Sequence, residues 1–413
     1  MKVARAGTRR RSRCPILMRR FCLALLWATT LAAVEPARVI PISVRGGNIF
    51  ISTRLNGSGP LHFLFDSAAG VHAVNWRRAE ELKLEMRSAS NAVGAGDGST
   101  RAAVLPGARL SLDGFALRSA RTVATDFDPV SDRKGYRVDG LIGADLMRHW
   151  VVGIDHAESV MRLYDPARWR YQGSGDSLPL RVDSTGVAYV TADVHIPGRG
   201  LVQAEFKIDS AAGGTTAMFA SPFAEKHDLV AAASRAGIPV LADEVMGVGG
   251  TSVSWTTRLD AIRLGRTLFR RPVVRITGAK GGTLARSDIA GILGGGLLAR
   301  FRVIYNCPHA RLYLEPGKEI DAPFEEDMSG IRWVAFGPDR NRFRVRAVVP
   351  DSPASRAGIA AGDVLIGVDG NTGGTFERHW LRDALRGHGR PVKLTLEREG
   401  ARREIAIVLR RMV

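Results

Sequence analysis

The sequence predicts a mainly β protein, with two homologous lobes in one chain followed by a small C-terminal α+β module. Three observations predict it. Short apolar runs of about four to six residues, separated by Gly, Asp, Asn and Pro, fill most of the chain, and long helical periodicities are few. The stretch from about residue 38 to 318 repeats itself once. From about Met328 the pattern changes to short helix signals set between alternating strands.

Length and composition bound the rest. A single core rarely grows past about 250–300 residues. A chain of 413 residues, 45% apolar and 24% charged, therefore holds several folded units and is not largely disordered. The formal charge of +18 taken alone suggests a nucleic acid or an anionic membrane surface as partner. Its distribution argues otherwise. Arg makes up 51 of the 59 basic residues, which points to coding bias. Residues 1–20 carry eight basic side chains and no acidic one, while residues 328–413 carry sixteen against nine, dispersed rather than clustered. No nucleic-acid partner is expected.

The N-terminal basic cluster has its own explanation. Arg19-Arg20 precedes an uncharged run of fourteen residues, 21–34, which ends in small side chains before Glu35-Pro36. Spanning a bilayer takes about 20 residues, so the run reads as the apolar part of a secretory signal peptide over residues 1–34, with Met18 as an alternative start. The chain is then exported, to a bacterial periplasm or the medium, with no stable membrane span after signal removal. Cys14 and Cys22 leave with the signal. Cys307 remains, in the turn Asn306-Cys307-Pro308-His309, so the mature chain has no internal disulfide.

The repeat gives the body its organisation. Phe63-Leu64-Phe65-Asp66-Ser67-Ala68-Ala69-Gly70 returns as Phe206-Lys207-Ile208-Asp209-Ser210-Ala211-Ala212-Gly213. A glycine-rich segment follows in each copy, at 94–98 and 247–250. Asp139-Gly140-Leu141-Ile142-Gly143 then corresponds to Ala290-Gly291-Ile292-Leu293-Gly294, and Arg162-Leu163-Tyr164 to Arg311-Leu312-Tyr313. The offsets are 143 at the aspartates, 151 at the glycine motifs and 149 at the tyrosines. These landmarks mark lobe 1 at 35–168, lobe 2 at 169–320 and the C-terminal module at 326–413.

Asp66 and Asp209 carry the chemistry. Each ends a buried apolar strand, where a carboxylate is costly unless hydrogen-bonded. A pseudo-two-fold arrangement brings them face to face, and two close carboxyls share a proton. One then serves as base toward a water while the other donates to a carbonyl oxygen. At these residues the chain resembles the retropepsin/pepsin aspartic peptidases, and best the bacterial retropepsin-like proteins. The resemblance rests on Asp-Ser-x-Ala after an apolar strand, with Leu141-Ile142-Gly143 and Ile292-Leu293-Gly294 later. It implies two retropepsin/pepsin-like β-barrel lobes, catalytic Asp66 and Asp209, Ser67 and Ser210 bracing the dyad loops, and the glycine-rich segments as substrate-covering flaps. It implies no cofactor. Ala68 and Ala211 depart from the family glycine, and their Cβ would penalise a positive φ. Ala69 and Ala212 replace a hydroxyl that lowers the dyad pKa in pepsin-like enzymes, which implies a weakly acidic to near-neutral optimum.

Other chemistries lack support. There is no His-Glu-x-x-His for zinc and no other metal motif, no Gly-x-Ser-x-Gly elbow and no phosphate loop. His72 reads as structural, and Trp255 as a core aromatic. In the C-terminal module Ser352-Pro353 opens a short helix that Gly358 ends. Phe376, Trp380, Leu381, Ala384 and Leu385 form an amphipathic helix, and two alternating strands close the module. This module resembles a PDZ domain of the bacterial protease-associated type. The resemblance implies recognition of a peptide or protein C-terminus by strand addition, with the loop at 328–331, and so Gly330 and Ile331, as the capture site. The whole reads as an exported aspartic endopeptidase acting on a peptide or protein substrate; the alternative is a non-catalytic periplasmic peptide-binding or scaffold protein using the same cleft and groove.

Overall fold

The computed structural model describes residues 34–118 and 121–413. The signal-peptide reading, apart from Val34, lies outside the described residues. Among these the chain is mainly β, its strands forming sheets of fifteen, ten and five strands. No described helix is long and apolar enough to cross a membrane.

The strand Leu61–Asp66 buries Leu61, Phe63 and Phe65 on one face and Leu64 on the other, as strict alternation along a strand covered on both faces requires. It pairs in parallel with Gly140–Gly143, which sets Asp66 opposite Gly143. In the second half Gly200–Asp209 pairs in parallel with Gly291–Gly294, which sets Asp209 opposite Gly294. The register is the same in both.

The halves are also joined edge to edge. Val151–Asp155 pairs antiparallel with Phe301–Asn306, so the fifteen-stranded sheet takes in strands from both. One apolar core runs through them, and Phe63, Phe65, Ile142, Phe206, Ile208 and Leu293 are fully buried in it. Full burial of each such side chain contributes roughly 1.5–3 kcal/mol. Cys307 is buried at the start of a 3-10 turn between Phe301–Asn306 and Arg311–Pro316, and Trp255 packs half-buried against the core.

Two antiparallel hairpins rise from the halves. Arg87–Val93 with Ser99–Val104 and Leu241–Gly247 with Gly250–Arg258 carry the two glycine-rich segments at their tips.

The C-terminal module has its own core, including Trp333, Phe343, Leu365, Leu381 and Leu394, and its five-stranded sheet begins with Ile331–Phe336 as an edge strand. Ser352 caps the helix Pro353–Arg356, its Oγ accepting from the Ser355 N–H at 3.1 Å, and Gly358 follows with φ +73°. The second helix is shorter than its apolar pattern suggests. It spans Arg378–Ala384, with Phe376 ahead of it, and Trp380 stays exposed, stacked on Phe376 at 5.5 Å. Leu381 and Leu385 alone fill the buried face, because Trp380 precedes Leu381 by one position and projects to the side.

Candidate active site: the Asp66/Asp209 cleft

The same local structure delivers each aspartate. Beyond the strand end the chain turns back, so that the Ala69 N–H donates to Asp66 O and the Ala212 N–H to Asp209 O, both at 3.3 Å. The turn aims the next amide at the carboxylate: the Ala68 N–H donates to Asp66 Oδ1 at 2.9 Å and the Ala211 N–H to Asp209 Oδ1 at 3.0 Å. Neither alanine has a positive φ, so the substitution of alanine for glycine brings no strain of that kind.

Gly143 and Gly294 let these loops close. A Cβ on Gly143 would run into the carbonyl oxygens of Ala69 and Val71, and one on Gly294 into that of Thr215. Gly143→Ala is therefore expected to destabilise the fold by about 1–3 kcal/mol through overpacking, a shift that urea denaturation reads directly.

Ser67 and Ser210 exchange hydrogen bonds between the two aspartate loops. The Ser67 N–H donates to Ser210 Oγ and the Ser210 N–H to Ser67 Oγ, each at 3.0 Å. Each hydroxyl in turn donates to a carbonyl in the other half, Ser67 Oγ to Ile208 O at 2.9 Å and Ser210 Oγ to Phe65 O at 2.8 Å. Both side chains are buried, where such bonds meet no competition from water.

Electrostatics separates the pair from ordinary carboxylates. Burial raises Asp66 above its usual value, against the Ala68 amide and the charges of Lys207 and Lys134. Burial, then the charge of Asp66, push Asp209 up to about 7. Lys134 ends the helix Asp128–Lys134, and its Nζ donates to Asn48 Oδ1 at 2.6 Å and Ala211 O at 2.7 Å. Its burial lowers it to about 8, against the pull of both aspartates. The pair thus holds one proton under mildly acidic conditions, one carboxyl as acid and one as base.

Both aspartates line a cavity of about 630 Å³. The hairpin tips roof it, and they are bonded to each other: the Gly96 N–H donates to Val248 O at 3.0 Å, the Gly98 N–H to Gly249 O at 2.9 Å, and Ser252 Oγ to Asp97 Oδ1 at 2.7 Å. Its lining includes the apolar Leu64, Phe127 and Leu141 and the cationic Lys207, Arg275 and Arg286. His72 is a buried prop: its Nδ1 accepts from the Gly143 N–H at 3.0 Å, and burial lowers it to about 4.

Asp66, Ser67, Asp209 and Ser210 thus come together, while Gly330 and Ile331 lie apart in the C-terminal module. Gly330 has φ +82°, and a Cβ there would meet Ser352. The Ile331 N–H is already bonded to Ser329 Oγ at 3.1 Å, and the Ser329 N–H to Asp327 Oδ1 at 2.8 Å, so much of the expected capture loop is occupied internally. Ile331 does line a smaller chamber of about 180 Å³, between the edge strand and the helix Arg378–Ala384.

Sequence reasoning missed Lys134, Lys207 and the cleft residues Arg378, His379 and Arg382 of the module helix. Lys207 had a signal: it stands two residues before Asp209 on one strand, so both side chains share a face. The others are brought in by tertiary structure alone.

Residues 51–146 match the sequence model of the aspartyl protease family, and residues 344–398 that of the PDZ domain. The chain thus carries an aspartyl-protease region that includes Asp66 and Ser67, and a PDZ domain in its C-terminal module. Among solved structures, an aspartic proteinase from Irpex lacteus is 13% identical, the match covering 69% of this chain and 98% of that one with a TM-score of 0.43. A photosystem II D1 C-terminal processing protease is 27% identical over 19% of this chain and 22% of its own, with a TM-score of 0.18. No curated protein matches the sequence.

Proposed function

We propose that the chain is an exported aspartic endopeptidase that hydrolyses peptide bonds in the Asp66/Asp209 cleft, with the PDZ domain holding part of the same peptide or protein substrate. The observation that carries the reading is the pair itself: two carboxyls at matched strand ends, facing one cavity, each held by an amide and each raised by burial. The ionised carboxylate takes a proton from a water whose oxygen attacks the peptide carbonyl carbon. The protonated carboxyl gives its proton to the carbonyl oxygen, forming a diol. The carboxyl that took the water proton then gives it to the nitrogen while the other carboxylate takes a proton from a diol hydroxyl, so that the C–N bond breaks, the carbonyl re-forms and the starting pair is restored. Export rests on the basic residues and short apolar run of residues 1–34. Substrate holding by the PDZ domain is supported by the edge strand Ile331–Phe336, which pairs with a strand on one side alone, and by the chamber beside it, whose walls include Gly214 and Thr215 of the loop after Asp209.

A mixed peptide library incubated with the wild type and with Asp66→Asn and Asp209→Asn, scored by mass spectrometry for new termini, tests the reading. Cleavage by the wild type alone supports it; identical behaviour of all three overturns it in favour of a peptide-binding scaffold. The pH profile is a second expectation. Activity needs one proton on the pair, so kcat/KM falls as pH rises through about 7, where Asp209 loses its proton. The acid limb lies above the usual aspartate value of 3.8, because Asp66 is raised as well. An optimum below about pH 3, near the lower pKa values of pepsin-type pairs, would contradict it.

A further inference from the structure

On one wall of the cleft, several cationic and polar groups are short of partners. Arg45, Tyr136, Arg378 and Arg382 all line the cavity that holds Asp66 and Asp209. Arg378 and Arg382 stand four residues apart on the helix Arg378–Ala384, hence on one face. Arg382 lies against the dyad loop, since a side chain on Gly214 would run into its guanidinium; one on Gly46 would come to 4.0 Å of both Nη atoms. Arg45 sits over the Phe50 ring at 5.5 Å, and that ring meets Tyr136 edge-on at 4.7 Å.

The charges around them are unbalanced. Among the described residues no carboxylate lies within 4.0 Å of Arg45 or Arg378, and Arg382 has its exposed chain neighbour Asp383 at 3.7 Å. Arg378 Nη1 donates to Trp333 O at 3.4 Å. Asp327 is the acidic group that bears on Arg378 from the module, while Arg382 and Arg275 oppose its charge. The Tyr136 hydroxyl and Arg382 Nε are buried and make no hydrogen bond. Orphaned buried donors of this kind are costly, and a ligand that accepts from them recovers that cost.

We propose that Arg45, Arg378, Arg382 and the Tyr136 hydroxyl form a binding site for a peptide carboxylate, either an acidic side chain or a chain-terminal carboxylate, on the wall of the Asp66/Asp209 cleft. Planar guanidinium forks match the two oxygens of a carboxylate, and the phenol adds an O–H donor. Two of the three arginines come from the PDZ-bearing module, so the module contributes directly to selection in the cleft. The inference rests on the peptide-binding part of the proposed function and is independent of cleavage.

The test uses the full chain carrying Asp209→Asn, so that peptides bind without turnover. Four pools of randomised octapeptides are offered, with Glu or Gln at one fixed position, each with a free or an amidated C-terminus. Retention is read by affinity selection and mass spectrometry. The Glu pools, the free-terminus pools or both are expected to be retained about tenfold better than the Gln amide pool, the effect of one charge-assisted bond; comparing Glu amide with Gln acid identifies the source. Adding Arg382→Met or Arg45→Met removes the preference, and a cooperative urea unfolding transition shows that the variants fold. Equal retention of all four pools, or a preference unchanged in both arginine variants, overturns the proposal. A wild type that cuts no peptide while its Asp209→Asn form keeps the preference refutes the peptidase reading and leaves this site standing.

Discussion

Replacing Asp209 by Asn is expected to cut peptide hydrolysis by about 10²–10⁴-fold, the usual contribution of a positioned acid or base, and at the same time to stabilise the folded chain above neutral pH. The two effects share a cause. Asp209 holds its proton up to about 7 in the folded chain, against an ordinary value near 3.9 in an unfolded one. Between those values the folded state binds the extra proton, so stability falls as pH rises and the full loss is reached above about 7. Asn has no proton to lose, and its side-chain oxygen can still accept from the Ala211 N–H. Urea denaturation at pH 4, 6 and 8 should show little difference between the proteins at the lowest value. At the highest, the variant should lead by on the order of a few kcal/mol. Full activity in the variant would remove Asp209 from the chemistry, and equal destabilisation at every pH would show that Asn disturbs the loop instead.

Replacing Ser67 by Ala is expected to cost about 2–6 kcal/mol, because it strands two buried groups, the Ile208 carbonyl and the Ser210 amide, at about 1–3 kcal/mol each. Ser210→Ala strands the Phe65 carbonyl and the Ser67 amide and should cost a similar amount. The double variant should lose less than the sum, because once one loop is released the other has less left to dock against. Activity falls with stability: a misplacement of about 1 Å between the carboxyls is worth about 10²-fold in rate, expressed in kcat more than in KM. Chemical denaturation of the four proteins gives the coupling energy, and strict additivity would mean that the two loops are held independently.

Asp66, Asp209, Ser67 and Ser210 were legible because a repeated motif places each at the end of an apolar strand, and the same strand–turn geometry recurs wherever that motif folds. The PDZ module was legible from its caps and turns, which act over a few residues. Lys207 apart, the missed groups obey no local rule. Lys134 reaches Ala211 only because the helix Asp128–Lys134 ends beside the other half's loop. Arg382 reaches the cleft because the C-terminal module rests against Gly214 and Gly46. Charge in this cleft is decided by which surfaces meet, and a chain read in order does not contain that information. The length of the module helix was misjudged for a related reason: Phe376 extends the apolar pattern, but the residues around it follow a turn.

The strand Val151–Asp155 has a further consequence, for how the chain is made. Its second neighbour, Phe301–Asn306, pairs Val152 with Tyr305, so the ribosome has to add some 150 residues before that edge is covered. At roughly 5–20 residues per second the wait is about 10–30 s. Throughout it the newborn first half presents an unpaired, apolar edge, the kind of surface on which nascent chains join one another. The sheet of the first half is therefore completed only by a strand of the second, wherever the chain folds.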